Sequence, residues 1–243
     1  MTDIQFRSDI SVELIDHMGN DRSVLAAMLV STLAEDSQDQ LDEVLTDLDG
    51  AAAGRINFLM KNRHGTPFEH GSFTFMVSAP IFVFREWHRH RIGVSINEES
   101  GRYTQLKPVY YVPAPERKLM QVGKPGAYEY VEGTTELYEW LVNDMKNEAH
   151  HNYTRYEERL DRGVAKEVAR MSLGLNIYSS MYWTCNPRSL MAFLSLRTNR
   201  PDAQFPSKPM REIEMGAEGM EEHFAKLFPL THAAYEKNGR VSP

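Results

Sequence analysis

The sequence predicts a mixed α+β fold built as a single domain over residues 1–243. Stretches at 12–16, 72–78, 109–112 and 176–185 alternate or are rich in β-formers, and the longer stretches between them repeat apolar residues at helical spacing. No linker, repeat or low-complexity run divides the 243 residues, which are enough for one substantial core.

Composition narrows the function classes. A formal net charge of -7 argues against nucleic-acid binding as the main role. No apolar run approaches the ~20 residues of a membrane span, and residues 1–5 carry neither the basic head nor the apolar stretch of an export signal. The single cysteine, Cys185, allows no internal disulfide and suits a reducing cytoplasm. It lies in a strand-like Trp-Thr-Cys-Asn run and is expected to be buried packing. Neither Gly-x-Gly-x-x-Gly nor a P-loop occurs, so a Rossmann or Walker-type site is not expected.

In chain order, 12–16 is a short strand and Gly19-Asn20-Asp21 is turn chemistry. Asp21 or Ser23 is expected to cap a helix to about Ser31, with Val24, Ala27, Met28 and Ser31 on one face. A second helix should run from Glu35 until Gly65 supplies the stop, along Leu41, Val44, Leu45, Leu48, Ala52, Ile56, Leu59 and Met60. Thr66, Pro67 and Glu69 read as N-cap, N1 proline and capping-box acid, flanked by His64 and His70. Residues 72–78 alternate strictly, as a half-buried strand does. Residues 80–91 read as a helix, with Ile81, Phe84 and His88 on one stripe and Arg85 and Arg89 on another.

A loop is expected over 113–125, then a long helix over 134–160 lined by Leu137, Leu141, Met145, Ala149, Tyr153, Tyr156 and Leu160. His150 and His151 are adjacent, hence roughly 100° apart on a helix, and are placed at a surface or interface rather than on one metal. Asp161-Arg162-Gly163 breaks the helix, and Val164, Val168, Met171 and Leu175 are expected as the core stripe of the next, with Arg170 off it. Asn186-Pro187 opens a helix to about Asn199. Arg188 and Arg197, nine residues apart on it, face opposite sides, which suits a site assembled between subunits. Residues 198–210 form a Pro-rich loop, 213–228 a last amphipathic helix, and the remainder a tail.

The densest chemistry lies at 85–103. Arg85, Arg89, Arg91 and Arg102 repel one another unless an anion sits among them, and guanidinium forks fit phosphate bidentately. Ser100-Gly101-Arg102 reads as a phosphate cradle: glycine admits the anion to the backbone, while hydroxyl and guanidinium close the shell. A nucleophilic Ser100 would need an adjacent base with a free lone pair, and the four arginines nearby favour anion binding instead. Two rivals stand beside an anion site: a metal-dependent nucleotide hydrolase using His88, His90 and Glu98, and a non-catalytic nucleotide or RNA-binding module. The first lacks a His/carboxylate motif at metal-ligand spacing, and the second lacks a basic, stacking surface.

Arg89-His90-Arg91 followed by Asn97-Glu98-x-Ser100-Gly101-Arg102-Tyr103 resembles the signature of flavin-dependent thymidylate synthases, with one residue more than usual between the two parts, falling within 92–95. Thr66-Pro67-Phe68-Glu69-His70 and the set Arg170, Asn186-x-Arg188 and Arg197 resemble the same family, so the likeness extends from Val12 to Phe228. The resemblance implies a central, mostly antiparallel sheet flanked by long helices in an obligate homotetramer with shared sites, free of membrane and nucleic acid. It implies methylation of dUMP at C5 to dTMP, with 5,10-methylenetetrahydrofolate giving the carbon and NADPH-reduced FAD the hydride; no metal is involved. Carried over residue by residue, Ser31, Thr66, Glu69, Arg89, His90, Arg91, Asn97, Asn186 and Arg188 resemble the flavin set. Glu86, Glu98, Ser100, Gly101, Arg102, Arg170 and Arg197 resemble the dUMP set, Gln also being found at the Glu86 position. On this reading Ser100, Gly101 and Arg102 hold the nucleotide phosphate, and Arg170 arrives from another subunit. Arg197 faces the uracil and stabilises charge developing there; His64 lies near the folate or flavin, or simply ends a helix. Arg197 and Ser100 are thus the residues expected closest to the chemistry.

Overall fold

A computed structural model describes residues 2–124 and 127–243. The first elements are β1 (Gln5–Arg7), β2 (Ser11–Met18), α1 (Asp21–Leu33), α2 (Ser37–Leu45), α3 (Ala53–Lys61), β3 (Ser72–Pro80), α4 (Ile81–Trp87), β4 (Val94–Glu98) and β5 (Val109–Tyr111). There follow β6 (Met120–Lys124), β7 (Ala127–Val131), α5 (Thr135–Asp161), α6 (Lys166–Ala169), β8 (Tyr178–Cys185), α7 (Pro187–Arg197), α8 (Arg211–Leu227) and α9 (Pro229–Lys237). The main sheet has the order β2-β3-β8-β4. In it, Thr74 faces Thr184 while the Ile81 amide donates to Ile177. Climbing β3 therefore descends β8, so this pair is antiparallel. β6 and β7 form an antiparallel hairpin, whereas β1 runs parallel to β5. No helix among the described residues is long and apolar enough to cross a membrane.

Two compact units compose the chain: Met1–Asp9, Ser78–Arg85 and Glu98–Ser180 in one, Ile10–Val77, Glu86–Asn97 and Met181–Pro243 in the other. No linker marks them because β3, β4, β8 and α4 each give residues to both. The first unit packs Ile4, Leu106, Tyr110, Ala149, Tyr153, Tyr156, Ala169 and Ile177 together. Two tyrosines of α5 also fix the backbone there: Tyr153 donates to the Leu106 carbonyl at 2.8 Å, and Tyr156 accepts from its N–H at 3.3 Å. In the second unit, Phe193 lies between Trp87 and Trp183, with ring centroids 5.0 and 5.2 Å away. Gly216 lets the Trp87 ring reach α8, since a Cβ there would fall 2.6 Å from it.

Several local expectations give way to tertiary contacts. Asn20 caps α1, accepting from the Arg22 N–H while the Ser23 hydroxyl accepts from its own N–H. Asp21 turns instead to the N-terminus of α9, taking the Leu230 and Thr231 amides at 2.8 and 2.9 Å and the Thr231 hydroxyl at 2.6 Å. The buried face of α1 is Val24, Leu25 and Leu29, and Ser31 is exposed. The helix expected from Glu35 to Gly65 breaks into α2 and α3, because the Asp47 carboxylate captures the Gly50 and Ala51 amides and starts a new turn. Leu48, expected inside, is exposed there. Arg63, not Gly65, takes the left-handed backbone that ends α3, with φ 61°. Thr66 caps nothing; Thr66–Glu69 is a 3-10 turn.

α4 stops at Trp87, so it carries Arg85 but not Arg89 or Arg91. Part of the expected 113–125 loop is β6; Pro125 lies outside the described residues. Helix α6 has only four residues, and Val168, Met171 and Leu175 are exposed rather than a core stripe. The supposed tail contains α9, which Asp21 and Pro229 start.

Glu221 of α8 is nearly buried beside Arg240, His232 and Arg200. Burial raises its pKa, but hydrogen bonds from His232 and Arg240 and the charges of Arg240 and Arg200 outweigh this and bring it to about 2. A carboxylate with a folded-state pKa below its unfolded one stabilises the fold above the unfolded value and loses that contribution as pH falls. The stability of the wild type relative to Glu221→Gln should therefore decline from about pH 4.5 towards 2, followed by urea unfolding against pH. Asp21→Ala should cost about 1–3 kcal/mol through loss of the α9 cap, measured by chemical denaturation.

Candidate functional site

In the second unit the chain leaves α4 through a tight turn, the Arg89 and His90 amides donating to the Glu86 and Trp87 carbonyls. This brings Glu86 and His90 to Arg197, the last residue of α7. Arg197 Nη1 donates to the Glu86 carboxylate at 2.7 Å, Nη2 to the Glu86 carbonyl at 3.2 Å, and Nε to His90 Nε2 at 2.9 Å. His90 must then be the neutral tautomer with its proton on Nδ1. Burial and the Arg197 charge lower its pKa to about 4, against the opposing pull of Glu86. The Phe193 edge contact, with centroids 4.8 Å apart, holds the imidazole against the aromatic core.

A second group in the same unit centres on Arg188. Its Nη1 pairs with Glu69 at 2.6 Å, and its guanidinium lies over Gly65, where a Cβ would come 2.5 Å from Cζ. α1, which carries Ser31, packs against the Thr66–Glu69 turn. Asn186 caps α7 through the Ser189 N–H at 2.8 Å, and the Ser189 hydroxyl holds the Ile92 carbonyl at 2.9 Å. The lengthened signature loop is thereby accommodated: Gly93 sits at φ 66°, and a Cβ there would strike Ser189 Oγ at 2.3 Å. Asn97 is exposed on β4. Arg89 and Arg91 are exposed and, among the described residues, their guanidiniums take no hydrogen bond or ion pair. Two unpaired guanidiniums flanking a neutral histidine make a cationic group suited to an anionic ligand.

The first unit holds the cradle. The Ser100 carbonyl accepts the Tyr103 and Thr104 amides, and its hydroxyl accepts the Arg102 N–H at 3.3 Å. Gly101 is buried against the Arg170 stem, a Cβ there coming 3.1 Å from Arg170 Cδ, so Arg170 reaches this turn within its own chain rather than from another subunit as expected. Arg102 pairs with Glu167 at 2.8 Å, both side chains more than half exposed. Such a pair is weak and yields readily to a dianionic phosphate. Glu98 ends β4 in this unit.

Among the described residues, His88, His90 and Glu98 form no metal-ligand group; Glu221, His232 and Glu236 do come together, but Arg240 pairs with both carboxylates. Sequence reasoning missed Glu167, Phe193, Gly65 and Gly93. Glu167 and Phe193 looked like ordinary helix residues, and both glycines like turn punctuation, since their roles depend on neighbours distant in the chain. Cys185 is buried as expected, and burial raises its thiol pKa well above the ordinary value.

The chain matches the family model described as thymidylate synthase complementing protein over residues 13–230. It is 55% identical over 240 residues to a flavin-dependent thymidylate synthase of Streptomyces coelicolor, across 99% of this chain and 96% of the relative. Another, from Tropheryma whipplei, is 52% identical over 238 residues, across 98% and 97%. The solved UMP/dUMP methylase PolB from Streptomyces cacaoi bound with 5-Br dUMP aligns with a TM-score of 0.92 at 49% identity, over 99% of this chain and 100% of that one. The same methylase bound with 5-Br UMP gives 0.89 and 47%, over 99% of each chain.

His90 should stay neutral, with its proton on Nδ1, until pH nears 4, which ring ¹⁵N NMR reads directly. A lowered histidine pKa stabilises the fold at neutral pH and loses that contribution as pH falls from about 6.5 to 4, so acid should loosen the Arg197 contact first.

Proposed function

The chain belongs to the flavin-dependent thymidylate synthase family, and from that premise we propose that it converts dUMP to dTMP by reductive methylation at C5. The carbon comes from 5,10-methylenetetrahydrofolate and the reducing equivalents from NADPH by way of FAD. The two electrons of NADPH balance reduction of the methylene to a methyl group, leaving tetrahydrofolate and NADP⁺ as the other products. Bound FAD supplies the hydride carrier.

The observation that carries this reading is a cationic station in each of the two units. Arg89 and Arg91 are open for one phosphate-bearing ligand, and the Ser100–Gly101–Arg102 turn with Arg170 suits another. FAD takes the first station, with Asn186 and Arg188; dUMP takes the second. Arg102 exchanges its exposed Glu167 partner for the nucleotide phosphate. Arg197, held by Glu86 and His90, presents a fixed positive charge to the uracil and stabilises negative charge developing on its carbonyl and ring nitrogen. Orientation and fixed charge are the chain's contributions. In the proposed enzyme, a homotetramer with shared sites, Arg188 and Arg197, which take different partners within the chain, look into different pockets.

The purified protein should show a flavin absorption spectrum that bleaches with NADPH under anaerobic conditions and responds to dUMP. A protein that stays colourless after incubation with FAD would overturn the reading. UMP belongs in the same titration, because the PolB structures hold the 5-bromo analogues of both nucleotides. Ser100→Ala should weaken dUMP binding roughly tenfold, as expected for one lost hydrogen bond to an anion, and leave turnover measurable by tritium release from C5. Abolished chemistry with dUMP still bound would instead assign the Ser100 hydroxyl to the chemical step.

A further inference from the structure

The segment 240–243 is fastened at several points, and one fastening is an arginine expected to bind flavin. Arg240 is 3% exposed in a left-handed conformation, φ 57°. It donates to Glu221 at 2.6 Å, to Glu236, and to the Thr198 hydroxyl at 3.0 Å, and lies over the Tyr235 ring. Beyond this anchor, Arg63 Nη1 donates to the Val241 and Ser242 carbonyls, each at 3.0 Å. The Ser242 hydroxyl donates to the Arg188 carbonyl at 2.9 Å, and the Pro243 carbonyl accepts from Arg188 Nε at 2.7 Å. The segment thus grips Arg188 by both its backbone and its side chain.

We propose that residues 240–243 form a positioning strap that sets the Arg188 guanidinium for FAD; the proposal rests on the flavin reading above. The Arg188 side chain is 41% exposed, and an arginine so open ordinarily samples many rotamers. Fixing it before the ligand arrives removes that ordering cost from binding. The two side-chain partners differ in kind. Glu69 neutralises the guanidinium, so an incoming phosphate must displace it. The Pro243 oxygen takes Nε, so it orients Arg188 while leaving the Nη2 edge open to a ligand. Five N–H donors are available on a guanidinium. Nε goes to Pro243 and Nη1 to Glu69, and the others have no partner among the described residues. Gly65 gives the guanidinium room to lie flat.

The test is a double-mutant cycle on FAD affinity, read by flavin fluorescence with thermal melting alongside. It compares wild type, a chain lacking 240–243, Arg188→Ala, and the combination. Removing the strap should weaken FAD binding about tenfold in the wild-type background and less than about twofold in Arg188→Ala, since the strap acts through that residue. A chain lacking Pro243 alone keeps the Arg240 anchor, so it should fold normally and still lose several-fold in FAD affinity. Unchanged affinity in the Pro243-deleted chain would overturn the strap. Equal losses with and without Arg188 would also overturn it, making the segment a general stabiliser. A wild-type protein that takes up no FAD would sink the flavin reading together with the strap, a result distinct from either of the others.

Discussion

A guanidinium that is 16% exposed has given up most of its water, and Arg197 replaces it with a carboxylate, a carbonyl and an imidazole. Each replacement constrains something else. The carbonyl comes from Glu86 itself, so the turn after α4 must close as it does. The imidazole must be neutral to accept, so His90 is held against the Phe193 edge, where burial depresses its pKa. Phe193 in turn belongs to the stack with Trp87 and Trp183, and Gly216 is needed to let Trp87 close it. The Arg197 charge is therefore fixed by packing in the core of the second unit.

The remaining arginines follow the opposite logic. Arg89 and Arg91 are exposed and unpaired, and Arg102 and Arg188 have partially exposed carboxylate partners. Surface pairs of this kind contribute about 0–1 kcal/mol, so they are readily exchanged. One chain thus uses guanidinium in two ways: largely desolvated and bonded through all three nitrogens at Arg197, solvated and weakly paired or unpaired at Arg89, Arg91, Arg102 and Arg188.

Long-range hydrogen bonds do much of the joining within the second unit. Asp21, at the start of α1, caps α9, and Arg240 ties the closing segment to Glu221 and Thr198. Buried ion pairs of this sort recover the cost of desolvation only when every donor and acceptor is used. Around Glu221, one carboxylate is shared by His232, Arg240 and Arg200.

The sequence by itself determined whatever depends on short-range periodicity and on residue chemistry. Legible in it were the strict alternation of β3, the N-cap and proline that open α7, the long α5 and the Ser100–Gly101–Arg102 turn. Those features follow from backbone geometry and side-chain type over a few residues. Tertiary structure decided where neighbours compete: Asp21 abandons α1 for α9, Asp47 splits one helix into two, and Val168, Met171 and Leu175 stay exposed although their spacing is helical. It alone joined Arg197 to Glu86 and His90, more than a hundred residues apart, and alone left Arg89 and Arg91 open. A one-dimensional pattern records which groups can bond. Which of them do is fixed by the packing that brings distant segments within about 3 Å of each other.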